Sequence, residues 1–256
     1  MSNKVRYILM GLLAIVFCFS AVTFGKSFME YRKGDKIYDT AKDFAVTTDT
    51  PVAVEEELTR RTYKTIDFAG MQAVNEDVIG WIQIEDTLVD YPLLDADDNK
   101  YYLNHTYDKQ WSSYGSIFLE PRNIPDLSEQ HLVVYGHNMK NEAMFGSLLD
   151  YKLQEHADAH KEIVICMPDR DLIYQVFSAY TAHVDSATYR MSFADTSSFV
   201  EMANFMKENS VIDTGIVPDA DDQILTLSTC TPEGAKKYRF VVNAVLVEDS
   251  SKTIAE

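Results

Sequence analysis

The sequence predicts a mainly β domain, built as a closed or nearly closed barrel and carried behind one N-terminal membrane-spanning helix. Three observations lead there. Residues 7–24 read YILMGLLAIVFCFSAVTF, without a charged residue, and about 18 to 20 apolar residues cross a bilayer as a helix. From residue 78 onward the apolar residues come in short runs and in alternation, the period-two pattern of half-buried strands. Within that β region one segment carries a strong amphipathic helical stripe. A two-sheet sandwich shares the strand periodicity, so pattern alone leaves it as the alternative to a barrel.

Taken in order, Lys4 and Arg6 precede the apolar run, and Lys26, Arg32 and Lys33 follow it. A cleaved signal peptide has a shorter apolar core that ends at small residues. Ser20 and Ala21 resemble such a site, but the apolar run continues through Phe24, which favours an uncleaved anchor. No face of the segment is polar, unlike a core helix at the surface of a soluble domain. Basic residues flank both ends, and the short leading segment is expected to stay inside. The expected organisation is a cytoplasmic tail at 1–6, a transmembrane anchor at 7–25, a stalk or linker at 26–54 and an extracellular domain at 55–256. Asp49, Thr50 and Pro51 mark a break within the stalk.

Residues 55–78 carry helical signals that end before Gly80. VIGWIQI at 78–84 reads as a strand, with LVDY at 88–91 as its partner. Further strands are expected at 116–119, 132–135 and 162–166. The last of these turns through Pro168, Asp169, Arg170 and Asp171 into a strand at 172–177, a hairpin. Ser198 is the expected N-cap of a helix reaching Asn209, with Glu201 completing a capping box and Phe199, Met202, Phe205 and Met206 as its apolar stripe. Strands at 224–229 and 239–246 close the domain.

The chain has 256 residues, 46% hydrophobic and 12% aromatic, which suits one domain with a substantial core. A formal charge of −17 argues against a nucleic-acid partner, because a polyanion would be repelled. It suits a cationic substrate or an amine nucleophile. The acidic clusters (Glu55, Glu56 and Glu57; Asp95, Asp97 and Asp98; Asp219, Asp221 and Asp222) read as solvated loops without EF-hand spacing. No His, Cys or Asp pair has metal-ligand spacing, so neither a metal nor another cofactor is expected.

Of three cysteines, Cys18 lies in the apolar anchor, which leaves Cys166 with Cys230 as the single possible intradomain pair. Cys166 lies within an apolar strand and reads as core packing. Cys230 ends the strand TLST and is followed by the turn sequence TPEG, where a substrate can reach the thiol. His137 likewise follows the strand LVVYG and opens a loop; His105, His131, His156, His160 and His183 stand mostly in polar or helical contexts. Arg239 begins the last strand, and a hairpin of the last two strands would bring it close to Cys230. A thiolate is stabilised by an imidazolium, and a guanidinium can stabilise the oxyanion of an acyl-transfer transition state. Cys, His and Arg are therefore the parts for covalent acyl transfer without a metal.

The string Thr226-Leu227-Ser228-Thr229-Cys230, with Arg239 nine positions on in YRFVV, resembles the signature of sortases. Tyr135-Gly136-His137-Asn138-Met139, followed by Met144-Phe145-Gly146-Ser147-Leu148, resembles the histidine region of their class B branch. The resemblance runs in order over residues 77–248. It implies an eight-stranded β-barrel with added N-terminal helices and a long helix before the cysteine strand. It also implies an enzyme that cleaves a sorting signal after Thr, holds the Thr as a thioester, and passes it to an amine of a peptidoglycan precursor. Its partners would be surface proteins bearing a C-terminal sorting signal. Carried over, Cys230 is the nucleophile, His137 the general acid/base, and Arg239 the oxyanion or substrate-positioning group. The matching substrate-groove residues are Asn99, Leu103, Tyr135, Tyr189 and Ser228. Thr231 stands where some relatives carry an acidic residue, and Arg190 where an apolar groove residue is usual.

Other readings fit less of the chain. A papain-like hydrolase places Cys before His, the reverse of the order here, and the Ser-His-Gly-Cys string of L,D-transpeptidases is absent. A pilin-polymerising sortase, which uses a pilin lysine as the amine, and a non-enzymatic anchored scaffold or adhesion domain are the alternative functions.

Overall fold

The computed structural model describes residues 3–47, 64–231 and 236–250. The expected stalk break at Asp49, Thr50 and Pro51, the boundary at 54/55 and most of the turn after Cys230 lie outside them. Helix α1, Asn3–Lys42, carries the apolar run and is long and apolar enough to cross a membrane. At 1.5 Å per residue its 40 residues extend about 60 Å, about twice the hydrocarbon thickness. The excess length reaches the domain, where Tyr38 and Ala41 are buried. Gly34 packs so closely on the Tyr114 ring that a Cβ would lie 2.5 Å from it. The chain is thus helical well into the expected stalk.

Strands β1 (Ala45–Thr47) and β2 (Lys64–Ile66) pair antiparallel as a small separate sheet. Helix α2 (Phe68–Val74) follows, with the Asp67 carboxylate accepting from Gly70 N at 2.9 Å. The helical reading of 55–78 therefore holds for α2 only. Its Lys64–Ile66 part is a strand, because the tertiary pairing with β1 overrides the local signal, and residues 55–63 lie outside the described residues.

The barrel strands are β3 (Val78–Gln83), β4 (Asp90–Leu94), β5 (Ile117–Leu119), β6 (His131–Tyr135), β7 (Glu162–Cys166), β8 (Asp171–His183), β9 (Ile224–Cys230) and β10 (Tyr238–Asp249). They close in the order β10-β8-β7-β3-β4-β5-β6-β9, with β10 bonded to β9. Closure leaves no sheet edge, and it decides for the barrel over the sandwich. Two neighbour pairs, β4–β5 and β6–β9, are parallel; the others are antiparallel. The interior is filled by fully buried Trp81, Phe118, Leu132, Ile165, Tyr174 and Leu227, among others.

Two α-helices lie between β6 and β9: the short α3 (Gln154–Ala159) and the longer α4 (Thr196–Glu208), which precedes the cysteine strand. Helix α4 covers the outer barrel face, where Phe199, Met202 and Met206 pack with Phe177, Tyr180 and Val241 in a second apolar cluster. The apolar stripe is as expected, but the cap is different. Asp195 is the N-cap; its carboxylate accepts from Ser198 N at 2.9 Å, and Ser198 is the third helical residue. A carboxylate three residues before a free N–H meets the capping geometry earlier in the chain, so the helix starts at Thr196.

Candidate active site

Strand pairing assembles the site. In the β9–β10 hairpin the register partner of Cys230 is Arg239. Parallel pairing of β6 with β9 aligns Tyr135 with Ser228, and parallel neighbours advance together. Two residues on, His137 comes level with Cys230. Side-chain bonds hold the two rails past the end of the ladder: Thr229 Oγ1 donates to the Gly136 carbonyl at 2.8 Å, and Asn138 Nδ2 donates to the Cys230 carbonyl at 2.8 Å.

These residues open onto one cleft of about 400 Å³. All eight site residues expected from sequence line it: Asn99, Leu103, Tyr135, His137, Tyr189, Ser228, Cys230 and Arg239. Asn99 and Leu103 come from the loop after β4, Leu103 as the last residue of a short 3-10 helix, Tyr101–Leu103. Tyr189 ends another, Ala187–Tyr189. Arg190 is not among the lining residues; its guanidinium donates to the Ser198 carbonyl at 3.0 Å on the outer face.

His137 Nε2 lies 2.6 Å from the Leu103 carbonyl. A carbonyl only accepts, so Nε2 carries the proton in that contact and the ring orientation is set. Directly beneath, Gly115 adopts φ +58°, and a Cβ there would stand 2.5 Å from the Tyr102 carbonyl and 3.0 Å from His137 Cδ2. A hydrogen alone fits between the histidine and the loop. The neighbouring Tyr114 donates its hydroxyl to Asp35 of α1 at 2.6 Å and accepts from Asn141 at 2.7 Å, so α1 packs on the segment that underlies His137.

Across the cleft the Tyr189 hydroxyl lies 2.9 Å from Ser228 Oγ. Burial pushes the phenol up to about 12, with Arg239 pulling it down and Cys230 adding to the rise. Cys230 is part-buried, and no described cysteine is in a disulfide. Cys166, last in β7, is 2% exposed, and burial pushes its thiol up to about 12 with Asp171 reinforcing the effect. Such a thiol is inert at neutral pH.

The cleft also holds groups that the motif reading did not single out, chiefly Glu120, Arg122 and Phe118. Burial of the Glu120 carboxyl opposes its ionisation, but bonds from Arg122 and Tyr135 and the charge of Arg122 outweigh that and hold it below the usual carboxylate range. The signal in the sequence was a carboxylate placed straight after the apolar run SIFL, in EPRN; burial in a cleft is invisible in such a pattern. Among the described residues no group of three or more His, Cys, Asp or Glu side chains forms a metal cluster. A reachable thiol, an imidazole level with it and a guanidinium across the hairpin suit acyl transfer through a covalent intermediate.

The match to known proteins is extensive. A Sortase domain model matches residues 82–247. Sortase B of Listeria monocytogenes is 32% identical over 237 residues, covering 91% of this chain and 92% of that protein. A solved sortase B from Bacillus anthracis superposes with a TM-score of 0.72 at 30% identity, covering 86% of this chain and 99% of that one. A Staphylococcus aureus sortase B–substrate complex gives 0.67 at 30% identity, covering 71% and 84%. With the closed eight-stranded barrel and the cleft that gathers these eight residues, the chain belongs to the sortase family of cysteine transpeptidases, in its class B branch.

Proposed function

We propose that Cys230 is the nucleophile, His137 the general acid/base and Arg239 the oxyanion-stabilising group of a transpeptidation carried out in this cleft. The observation that carries the reading is the convergence of the three side chains at one cleft mouth. The Cys230 sulfur attacks the carbonyl carbon of a Thr in a sorting signal, and its proton passes to His137. Arg239 stabilises the oxyanion as the tetrahedral species forms. That species collapses with loss of the C-terminal fragment as an amine, protonated from His137, and leaves a Thr thioester on Cys230. An incoming amine of a peptidoglycan precursor then attacks the thioester, giving a new amide and restoring the thiol. The S. aureus relative, solved as a substrate complex, supports a peptide in the equivalent groove, here Asn99, Leu103, Tyr135, Tyr189 and Ser228.

On this reading residues 1–6 lie in the cytoplasm, 7–25 span the membrane, and 26–54 lead to an extracellular domain at 55–256 that meets surface proteins at the cell wall. The apolar α1 supports the anchor. Anchoring enzyme and membrane-held substrates together raises their effective concentration.

The test is cleavage of a peptide library by the full-length chain in detergent, read by mass spectrometry, with hydroxylamine as the amine probe. Cleavage after Thr with hydroxamate formation is expected. Cleavage that persists in Cys230→Ala refutes the assignment.

A further inference from the structure

Glu120 takes no part in the chemistry above, yet it governs the groove's hydrogen bonding. It follows β5 and is 2% exposed. Its backbone N–H donates to the Val133 carbonyl and its carbonyl accepts from Asn123, both at 2.8 Å, so the root of the side chain is fixed. Oε1 accepts from Arg122 Nε at 2.8 Å. Oε2 accepts from the Tyr135 hydroxyl at 2.8 Å and from Asn99 Nδ2 at 3.3 Å.

An ionised carboxylate offers acceptor sites only. Tyr135 therefore commits its single hydroxyl proton to Glu120, and its oxygen presents lone pairs alone to the cleft. Asn99 commits an amide hydrogen to the same oxygen, which orients its carboxamide. The Arg122 charge is balanced by the carboxylate beside it. We propose that Glu120 is a positioning and specificity residue that makes this end of the groove a hydrogen-bond acceptor. It selects sorting signals with an N–H or O–H donor there and rejects carboxylate side chains.

Glutamine in its place reverses that polarity. With its amide oxygen toward Arg122, its NH₂ faces Tyr135 and Asn99. Tyr135 then accepts and turns its own proton to the cleft, and Asn99 must flip to avoid opposing donors. Arg122 loses its counter-charge. Each change favours a carboxylate in the groove.

The proposal rests on the transpeptidase reading of this cleft, and the test separates the two. Full-length wild type, Glu120→Gln and Tyr135→Phe are each given peptides of the form Xaa-Xaa-Xaa-Thr-Xaa, randomised at the three leading positions, in salt that screens the chain's overall charge. Competitive cleavage is read by mass spectrometry. At one randomised position, wild type is expected to cleave Asn or Gln peptides about 10-fold or more faster than their Asp or Glu counterparts, the scale of one hydrogen bond involving a charged group. In Glu120→Gln that ratio is expected to fall to about 3-fold or less at that position alone. Tyr135→Phe leaves the Glu120–Arg122 charge pair in place, and its ratio is expected to fall in the same direction. The proposal is overturned if Glu120→Gln slows every peptide by a common factor, as a purely structural role would, or if Tyr135→Phe keeps the wild-type ratio. A wild type that cleaves no peptide overturns the transpeptidase reading, and this inference with it.

Discussion

Between pH 7 and pH 4.5 the domain is expected to lose about 2 to 3 kcal/mol of stability through one side chain, His131. The ring is 2% exposed at the start of β6, with Nδ1 2.8 Å from the Arg190 carbonyl and Nε2 2.9 Å from Thr226 Oγ1. Burial lowers its pKa from 6.5 to about 4; the Arg190 carbonyl and Glu129 pull it upward, and Arg122 reinforces the fall. In the unfolded chain the ring titrates near its ordinary value. As pH falls through about 6.5, the unfolded chain takes up a proton that the folded chain refuses until about pH 4. The neutral ring thus favours the folded state fully above about pH 6.5, and that advantage shrinks down to about pH 4. At about 1.4 kcal/mol per pH unit the complete shift is worth about 3 kcal/mol. The assay is urea unfolding of full-length wild type and His131→Asn in detergent, at pH 7 and pH 4.5. Asparagine can still donate to the Arg190 carbonyl but does not titrate in this window. The variant should be less stable at pH 7 because it is smaller, yet its loss on acidification should be about 2 to 3 kcal/mol less than that of wild type. Equal acid losses in the two proteins, within about 0.5 kcal/mol, would refute the argument and move the pH dependence to the carboxylates.

Cys230→Ala should leave the domain folded and abolish thioester capture, whereas Cys166→Ala should keep cleavage and lose about 1 to 2 kcal/mol of stability; denaturant curves and mass spectrometry of trapped intermediates read both. Arg239→Lys retains charge but not the planar fork, so the acylation rate constant should fall about 100-fold or more, checked by single-turnover cleavage. Gly115→Ala places a methyl group 2.5 Å from the Tyr102 carbonyl at φ +58°. It should destabilise the domain by more than about 1 kcal/mol and lower kcat more than it raises KM, because it displaces His137 and Leu103.

Each strand of the expected barrel was visible as a short apolar or alternating run, because a side chain's face depends on its own place in the chain. Boundaries moved where pairing extends a strand, most of all in β8, which was expected to end at 177 and continues to His183 against β10. The region at 55–78 misled for the opposite reason. Its local preferences read as helix, and a partner strand distant in sequence made Lys64–Ile66 extended. The Ser198 cap erred by proximity: Asp195 competes for the same free N–H groups and binds them better.

By itself the sequence singled out three groups of the site and its setting: a cysteine and an arginine facing each other across the turn of a hairpin, a histidine after a strand, and a membrane-length apolar helix before them. Those are properties of spacing, and spacing survives in one dimension. Only the tertiary structure decided that β10 also pairs with β8 to close the barrel and that β6 runs parallel to β9, bringing His137 level with Cys230 across more than ninety intervening residues. It alone buried Glu120 under Asn99 and Tyr135, and wedged Gly115 beneath His137. Register, closure and burial arise from backbone hydrogen bonds and packing between segments far apart in the chain. The energy of each contact depends on both partners, so neither local string carries it alone.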